Sequence, residues 1–259
     1  MSAPPVSFVI PTRNQAQFIR RCIDECLAQN IAGAEILVVD GNSTDGTQQI
    51  LASYGDRLRF VSERDRGQSD AINKGIRMAR GEVIAWINSD DYYADAGVVK
   101  RVLAAFSDGV DVVHGDGMLV DVAGQPFRRY VSRELDGGRA LFAHPTAVVQ
   151  CSVFFRRQLF LDVGALDETL HWAMDYDLWL RLMPAARRVR YLPEVLSCVR
   201  FHAGAKTYNG MLEQFAEVRR IRRRYRRDRP FGARIGTLVA DAKLYAYWAA
   251  VRLGLRRAS

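Results

Sequence analysis

The sequence has few cysteines, no long apolar run and no glycine-rich phosphate loop, and each absence excludes a class of protein. The four cysteines form no Cys-x-x-Cys pair and no metal-ligand spacing, which favours a reducing compartment over a disulfide scaffold. No apolar run approaches the ~18 residues of a membrane span, and residues 1–5 lack the basic segment of a signal peptide. We therefore expect a cytoplasmic protein. Neither Gly-x-Gly-x-x-Gly nor a P-loop is present, which argues against a dinucleotide site and against an NTPase.

Positive charge is concentrated towards the end of the chain. The net charge is +8, but residues 219–229 alone carry +7 and residues 1–218 sum to −3. Such a basic run binds nucleic acid or an anionic membrane, or is simply solvated. No recognised nucleic-acid module accompanies it, so we do not expect a nucleic-acid partner.

An amphipathic segment follows the basic run. Leu244, Tyr247, Trp248 and Val251 fall on one helical face with arginines near its edge. Aromatic residues beside arginines suit a helix in a membrane interface, so residues 219–257 are a candidate surface for anionic lipid, peripheral on the cytoplasmic face of the inner membrane. Packing of this helix on the rest of the chain is the alternative.

Strands alternate with helices over the first ninety or so residues, which predicts an α/β fold. The apolar runs Val6–Ile10, Glu35–Asp40 and Val83–Ile87 are typical of buried parallel strands. We predict a Rossmann-like, mostly parallel sheet flanked by helices. Further predicted elements are helices at 47–54, 68–80, 94–106 and 208–227, strands at 58–62, 110–114 and 127–131, and turns at 115–117 and 124–126.

Carboxylates end two of the predicted strands. Asp40 ends the second strand, and Asp90 with Asp91 follows the strand at residues 83–87. Ligands of open α/β sheets bind beyond the carboxyl ends of the strands. Mg²⁺ or Mn²⁺ takes one or two carboxylates together with substrate phosphates, so this edge could hold a metal and a diphosphate. A solvated turn or a helix cap is the alternative.

Four motifs occur together in order along the first half of the chain. They are Pro11-Thr12-Arg13-Asn14, Val39-Asp40-Gly41-Asn42-Ser43-Thr44-Asp45-Gly46-Thr47, Asp65-x-Gly67 with Asp70-Ala71-x-Asn73-x-Gly75, and Asn88-Ser89-Asp90-Asp91. Together they resemble the nucleotide-binding half of family-2 glycosyltransferases, which have the GT-A fold. The resemblance covers roughly residues 6–207. It implies a nucleotide-sugar half at 1–91, an acceptor-binding half at 92–207, and a basic helical extension at 208–259.

The resemblance also implies a reaction and the residues that perform it. The donor would be a UDP-, dTDP- or GDP-sugar, the cofactor Mn²⁺ or Mg²⁺, and transfer would invert the anomeric carbon. The acceptor would be a saccharide or a lipid-linked saccharide. The implied base is Asp175, the implied metal ligands are Asp90, Asp91 and His202, and the implied donor contacts are Pro11, Thr12, Asn14, Asp40, Asn42, Asp65, Gly67, Asp70, Asn73, Asn88, Ser89 and Lys206.

Two positions depart from the family pattern, and several alternatives stay open. Asn88 stands where the family has Asp, and Met174 stands where Glu is often found before the base. An acceptor hydroxyl needs a carboxylate to take its proton, which suits Asp175. Asp177 is spaced for a helical ion pair with Arg181 instead, and a lone histidine such as His202 is more often structural. A sugar-1-phosphate nucleotidylyltransferase and a non-catalytic adaptor are the alternative functions.

Overall fold

The first strand is buried along its whole length, and the sheet extends from it on both sides. The computed structural model describes residues 5–107, 109–135, 141–142, 144–202, 204–206 and 210–225. Its strands are β1 (Val6–Thr12), β2 (Glu35–Asp40), β3 (Arg59–Ser62), β4 (Val83–Trp86), β5 (Tyr92–Tyr93), β6 (Val112–Val120), β7 (Pro126–Tyr130), β8 (Val153–Arg156) and β9 (Val189–Arg200). Its α-helices are α1 (Ile19–Ala28), α2 (Thr47–Ala52), α3 (Gln68–Met78), α4 (Val98–Ala105), α5 (Arg157–Asp162), α6 (Met174–Ala185) and α7 (Met211–Tyr225), and short 3-10 helices span Gly55–Arg57 and Gln150–Ser152.

The strands described here form one sheet in the order β3-β2-β1-β4-β8-β6-β9-β5, and β7 pairs with β6. The first four strands of that order are parallel, as the apolar runs predicted. Beyond β4 the pairing is antiparallel, except that β6 and β9 run parallel. The sheet is thus parallel in the half formed by β1 to β4 and mixed in the other half. Thr12 is paired with Asp40, so β1 and β2 end at the same edge.

Helices cover both faces of the sheet and bury two apolar clusters. Phe8 and Ile10 of β1 pack on the face covered by α1 and α4, whereas Val9 packs on the face covered by α3 and α6. This alternation follows from the two-residue period of a strand. Ile221 of α7 is buried in the second of these clusters, so α7 packs on the same face as α3 and α6.

The predicted turn at residues 115–117 was wrong, because β6 runs through it. A Cβ on Gly115 would lie 2.6 Å from Leu196, and one on Gly117 would lie 2.8 Å from Val149. These glycines permit close packing against neighbouring segments within a continuous strand. The sequence pattern alone suggested a chain reversal, because Gly-Asp-Gly is rich in turn-forming residues.

The predicted helices are observed with somewhat different bounds. The helix predicted over 94–106 begins only at Val98, since the Asp95 carboxylate accepts the Gly97 N–H (2.7 Å) in a turn before the helix. The basic helix predicted over 208–227 is observed as α7, and the amphipathic segment at 244–255 lies outside the described residues. None of the helices described is both long enough and apolar enough to cross a bilayer.

Candidate active site

A cleft of about 910 Å³ opens at the carboxyl ends of β1 and β4. Its volume lies towards the upper end of the roughly 300–1,000 Å³ typical of small-molecule sites. The predicted site residues that line it are Pro11, Thr12, Asp65, Gly67, Asn88, Ser89, Asp90, Asp91, Asp175 and Lys206. Those outside its lining are Asn14, Asp40, Asn42, Asp70, Asn73 and His202. The fold therefore brings together, in one cleft, predicted site residues that lie far apart along the chain.

Asp90, which lines the cleft, lies beside His202, which is just outside the lining. His202 Nε2 is 3.1 Å from Asp90 Oδ2, and the Asp90 side chain is 21% exposed. One carboxylate and one imidazole fit a divalent cation that takes its remaining ligands from substrate phosphates and water. No group of three or more His, Cys, Asp or Glu side chains suited to a metal occurs among the described residues. A cation held here would therefore depend on the donor for part of its coordination.

Asp91 is buried and already has protein partners. It accepts the Arg200 backbone N–H at Oδ1 (3.0 Å) and the Asn88 side-chain amide at Oδ2 (3.4 Å). Burial, and then the neighbouring Asp90 charge, hold the pKa of Asp91 well above its ordinary value. These contacts tie β9 to the segment after β4, which places His202 beside Asp90. Metal ligation by Asp91 stays a prediction.

A continuous chain of hydrogen bonds crosses the floor of the cleft. Lys206 Nζ donates to Gln68 Oε1 (3.2 Å), and Gln68 Nε2 donates to Asn88 Oδ1 (3.0 Å). Asn88 Nδ2 in turn donates to Gln150 Oε1 (2.9 Å), whose own amide donates to the Trp86 carbonyl (2.9 Å). Asn88 both accepts and donates, which a carboxylate at that position could not do. The departure from the family pattern at residue 88 therefore has a structural role.

The predicted donor contacts after β1 and β2 are engaged with one another. Asp40 is fully buried and accepts hydrogen bonds from Ser62 Oγ (2.5 Å) and the Ser43 N–H (3.1 Å). Asn14 Oδ1 accepts the Thr44 N–H (2.9 Å), which joins the two loops. Asn14 and Asn42 both have positive φ, at 53° and 60°, a conformation that Asn tolerates better than most residues. Their contact with a nucleoside stays a prediction.

The segment that opens α3 contributes the predicted lining residues Asp65 and Gly67 and the anchors Asp70 and Asn73. Asp65 Oδ1 accepts the Gly67 N–H (3.0 Å), and Gly67 has φ 131°, which favours glycine. Asp70 accepts the Arg66 N–H (3.1 Å), and this bond lowers the pKa of Asp70. Asn73 is buried and donates to the Leu166 carbonyl (3.0 Å). Asp70 and Asn73 thus stabilise the wall of the cleft from behind.

Asp175 lies in the first turn of α6 and faces the cleft. It accepts the Tyr176 N–H at Oδ1 (2.7 Å). Burial raises the pKa of Asp175, the Lys206 charge lowers it, and the Glu217 charge raises it, with a net upward direction. A carboxylate with a raised pKa is a stronger base. By contrast, Asp177 is buried in the predicted ion pair with Arg181 (2.8 Å), which is confirmed.

Several residues that line the cleft were not among the predicted site residues. They are the amides Gln68 and Gln150, the indole of Trp172, and the α7 side chains Gln214, Phe215 and Val218. Trp172 carried a usable signal, because a large aromatic residue stands just before the predicted base. The α7 residues carried no such signal, because the arginines that surround them in the sequence indicate a surface-exposed helix.

The comparison with protein families decides the classification. The family model described as glycosyl transferase family 2 matches residues 7–164, more than half of the chain. The chain belongs to glycosyl transferase family 2. The sequence is also 32% identical over 223 residues to an uncharacterized glycosyltransferase of Rickettsia typhi, covering 83% of this chain and 69% of the relative. A PGL/p-HBAD biosynthesis glycosyltransferase of Mycobacterium bovis is 32% identical over 187 residues, which is 70% of each chain.

Solved structures of glycosyltransferases share the fold of this family-2 member. Residues 1–349 of S. aureus TarS, in complex with UDP-GlcNAc, superpose with a TM-score of 0.68 at 19% identity, covering 83% of this chain and 66% of that TarS fragment. The mannosyltransferase PcManGT from Pyrobaculum calidifontis, in complex with GDP-Man and Mn²⁺, gives a TM-score of 0.62 at 20% identity, covering 99% of this chain and 82% of that one. The present chain thus spans about two thirds of the TarS structure. The predicted GT-A fold and family are confirmed.

Proposed function

We propose that this family-2 glycosyltransferase moves a sugar from a nucleoside-diphosphate sugar to a hydroxyl of a saccharide or lipid-linked saccharide. The transfer would invert the configuration at the anomeric carbon. The observation that carries the proposal is that two carboxylates from different elements, Asp90 after β4 and Asp175 on α6, line one cleft. One carboxylate suits the diphosphate side and the other suits the acceptor side. Products of this reaction class are polysaccharides and cell-surface glycans.

Two buried polar atoms in the cleft wall support a polar ligand. Thr12 Oγ1 and Trp86 Nε1 are buried and have no hydrogen-bond partner among the described residues. Most buried polar groups in folded proteins are paired. Both residues line the cleft, so a bound sugar nucleotide would supply hydrogen-bond partners if their side chains turn towards it. UDP-, dTDP- and GDP-sugars are the proposed donors.

In the proposed reaction, the acceptor hydroxyl oxygen forms a bond to the anomeric carbon as the bond to the diphosphate oxygen breaks. Asp175 takes the hydroxyl proton, and the electron pair of the broken bond leaves with the nucleoside diphosphate. Asp90 and His202 would hold Mn²⁺ or Mg²⁺, with Asp91 behind them; bound there, the cation offsets charge on the departing diphosphate. Lys206 would add a second positive charge.

The test measures nucleoside diphosphate released from a panel of UDP-, dTDP- and GDP-sugars, with Mn²⁺, Mg²⁺ or EDTA. We expect release from one donor that EDTA abolishes. Asp90→Asn and Asp175→Asn should each lower turnover by about 10²–10⁴-fold, the range of a positioned catalytic group. The exposed Asp56→Asn makes the same chemical change away from the cleft and should leave turnover unchanged. Full activity of either cleft variant contradicts its assigned role.

A membrane surface is the proposed setting for a lipid-linked acceptor. The α7 side chains Arg219 and Arg223 are exposed, while Arg222 is buried and Arg224 pairs with Asp167 (3.0 Å). The α7 helix therefore packs on the domain with one face and presents arginine on another. The exposed arginine face is the one that we propose for contact with anionic lipid.

A further inference from the structure

The α7 helix forms part of the cleft although it lies outside the family match at residues 7–164. Gln214, Phe215 and Val218 line the cleft on the side of Asp175. The buried residues Val218 and Ile221 join the apolar cluster that contains α6. A segment C-terminal to the matched region thus contributes directly to the wall that faces the proposed acceptor.

Glu217 of α7 binds the chain just before the proposed base. Its Oε2 accepts the backbone N–H groups of Trp172 (2.7 Å) and Ala173 (2.9 Å), and its Oε1 accepts that of His171 (2.8 Å). The Glu217 side chain is only 13% exposed. Ala173 is the N-cap of α6, so its backbone N–H has no intrahelical partner, and the charged Glu217 carboxylate is a strong acceptor for it and for the two N–H groups that precede it.

The bonded segment connects directly to the residues of the cleft. Ala173 precedes α6, and Asp175 is the second residue of that helix. Trp172 lines the cleft, and Lys206 Nζ lies 5.6 Å from the centre of its ring. Any shift of residues 171–173 would therefore move the Asp175 carboxylate, the Trp172 ring and the contact with Lys206 together.

We propose that Glu217 is a positioning residue for sugar transfer, which holds residues 171–173 so that Asp175 meets the acceptor hydroxyl. The inference rests on the proposed function, since it takes Asp175 as the base. A displacement of about 1 Å can lower turnover about 10²-fold without any loss of ground-state binding. Glu217 acts through the backbone and does not itself touch the reacting atoms.

The electrostatic effect of Glu217 gives a readout that a purely structural residue would not move. The charged groups that act on Asp175 are Lys206, which lowers the pKa of Asp175, and Glu217, which raises it. Removing the Glu217 charge therefore lowers the pKa of Asp175. Because the base must be deprotonated, the acid limb of the kcat profile should move to lower pH.

The principal variant is Glu217→Gln, which keeps the shape but turns an amide N–H₂ towards a backbone donor. We expect kcat to fall about 10- to 100-fold, with the donor KM changed less than about 2-fold and the acid limb shifted to lower pH. The matched control is Glu213→Gln, an exposed glutamate on the same helix, which should behave as wild type. In an Asp175→Asn background, Glu217→Gln should add less than about 3-fold, because its effect passes through Asp175.

The outcomes separate this inference from the proposed function. Suppose that Asp175→Asn is inactive but Glu217→Gln behaves like the control Glu213→Gln. This result would overturn the positioning role and leave the proposed function standing. A fully active Asp175→Asn would overturn the base assignment itself. Hydrogen exchange on the wild-type chain needs neither donor nor variant. The amides of residues 171–173 should be protected, and exchange at unstructured rates would overturn the inference.

Discussion

At the residue scale, Lys206 links the two halves of the cleft. Its Nζ donates to Gln68 on α3 and lies near the Trp172 ring beside α6. Burial lowers the pKa of Lys206, and the negative charges of Asp175 and Glu217 raise it. The interaction is reciprocal, so the ammonium group also lowers the pKa of Asp175. Lys206 therefore tunes the proposed base, besides its proposed role beside the diphosphate.

Substituting Lys206→Met should move the acid limb of kcat/KM to higher pH. Loss of the positive charge raises the pKa of Asp175, and the base is then protonated over a wider acidic range. Turnover measured from pH 4 to 8 checks this. The turnover rate itself will also fall, because the proposed positive charge beside the diphosphate is lost. The readout is therefore the pH at which the acid limb lies, not the rate. Lys100→Met, at an exposed site, serves as the control, and an unmoved limb in Lys206→Met would contradict the coupling.

Residues at strand ends could be predicted from the sequence, but their partners could not. Asp90 and Asp40 both end predicted strands, yet only Asp90 lines the cleft. Asp40 instead accepts a hydrogen bond from Ser62 at the end of β3, 22 residues away, and the predicted strand at 58–62 did not indicate this pairing. Glu217 is 44 to 46 residues from the N–H groups that it binds. Such pairings depend on how elements pack, which local patterns do not encode.

At the element scale, the parallel half of the sheet was the predictable part. Strands β1, β2 and β4 are apolar on both faces because helices cover both, so their runs are nearly continuous. The β6 strand was cut short in the prediction because its glycines resemble turn residues. Their actual role depends on Leu196 and Val149, which are distant in sequence. Where tertiary packing decides, sequence pattern alone was insufficient.

Ile221 should contribute strongly to the docking of the α7 helix, together with the neighbouring buried residue Val218. Ile221 is 1% exposed, and truncation to Ala removes buried apolar atoms and leaves a cavity. We expect Ile221→Ala to lower the free energy of unfolding by about 2–4 kcal/mol. Urea denaturation measures this. Leu212→Ala, at a site 52% exposed on the same helix, should change it by less than about 0.5 kcal/mol. Equal effects of the two substitutions would show that α7 is not packed as described.

At the scale of the whole molecule, positive charge is concentrated on α7 and in the residues after it. Residues 1–218 carry −3, whereas the strongly positive segment begins on α7. Two of its arginines are used within the fold, since Arg222 is buried and Arg224 pairs with Asp167 and Asp177. Arg219 and Arg223 stay exposed on the helix whose other side lines the cleft. A membrane bound there would bring lipid-linked acceptors near Asp175.

The resulting prediction is that Arg219 and Arg223 strengthen binding to anionic membranes. Each basic residue near an anionic surface contributes about 1 kcal/mol, so replacing both with Gln should weaken binding by about 30-fold. Cosedimentation with vesicles of phosphatidylcholine and phosphatidylglycerol measures the affinity. The control replaces Arg77 and Arg80, exposed arginines at the end of α3, and removes the same charge. A general charge effect would weaken both variants equally, whereas a membrane-facing α7 requires a larger loss for Arg219 and Arg223. Added salt should reduce wild-type binding, because the attraction is screened within a Debye length.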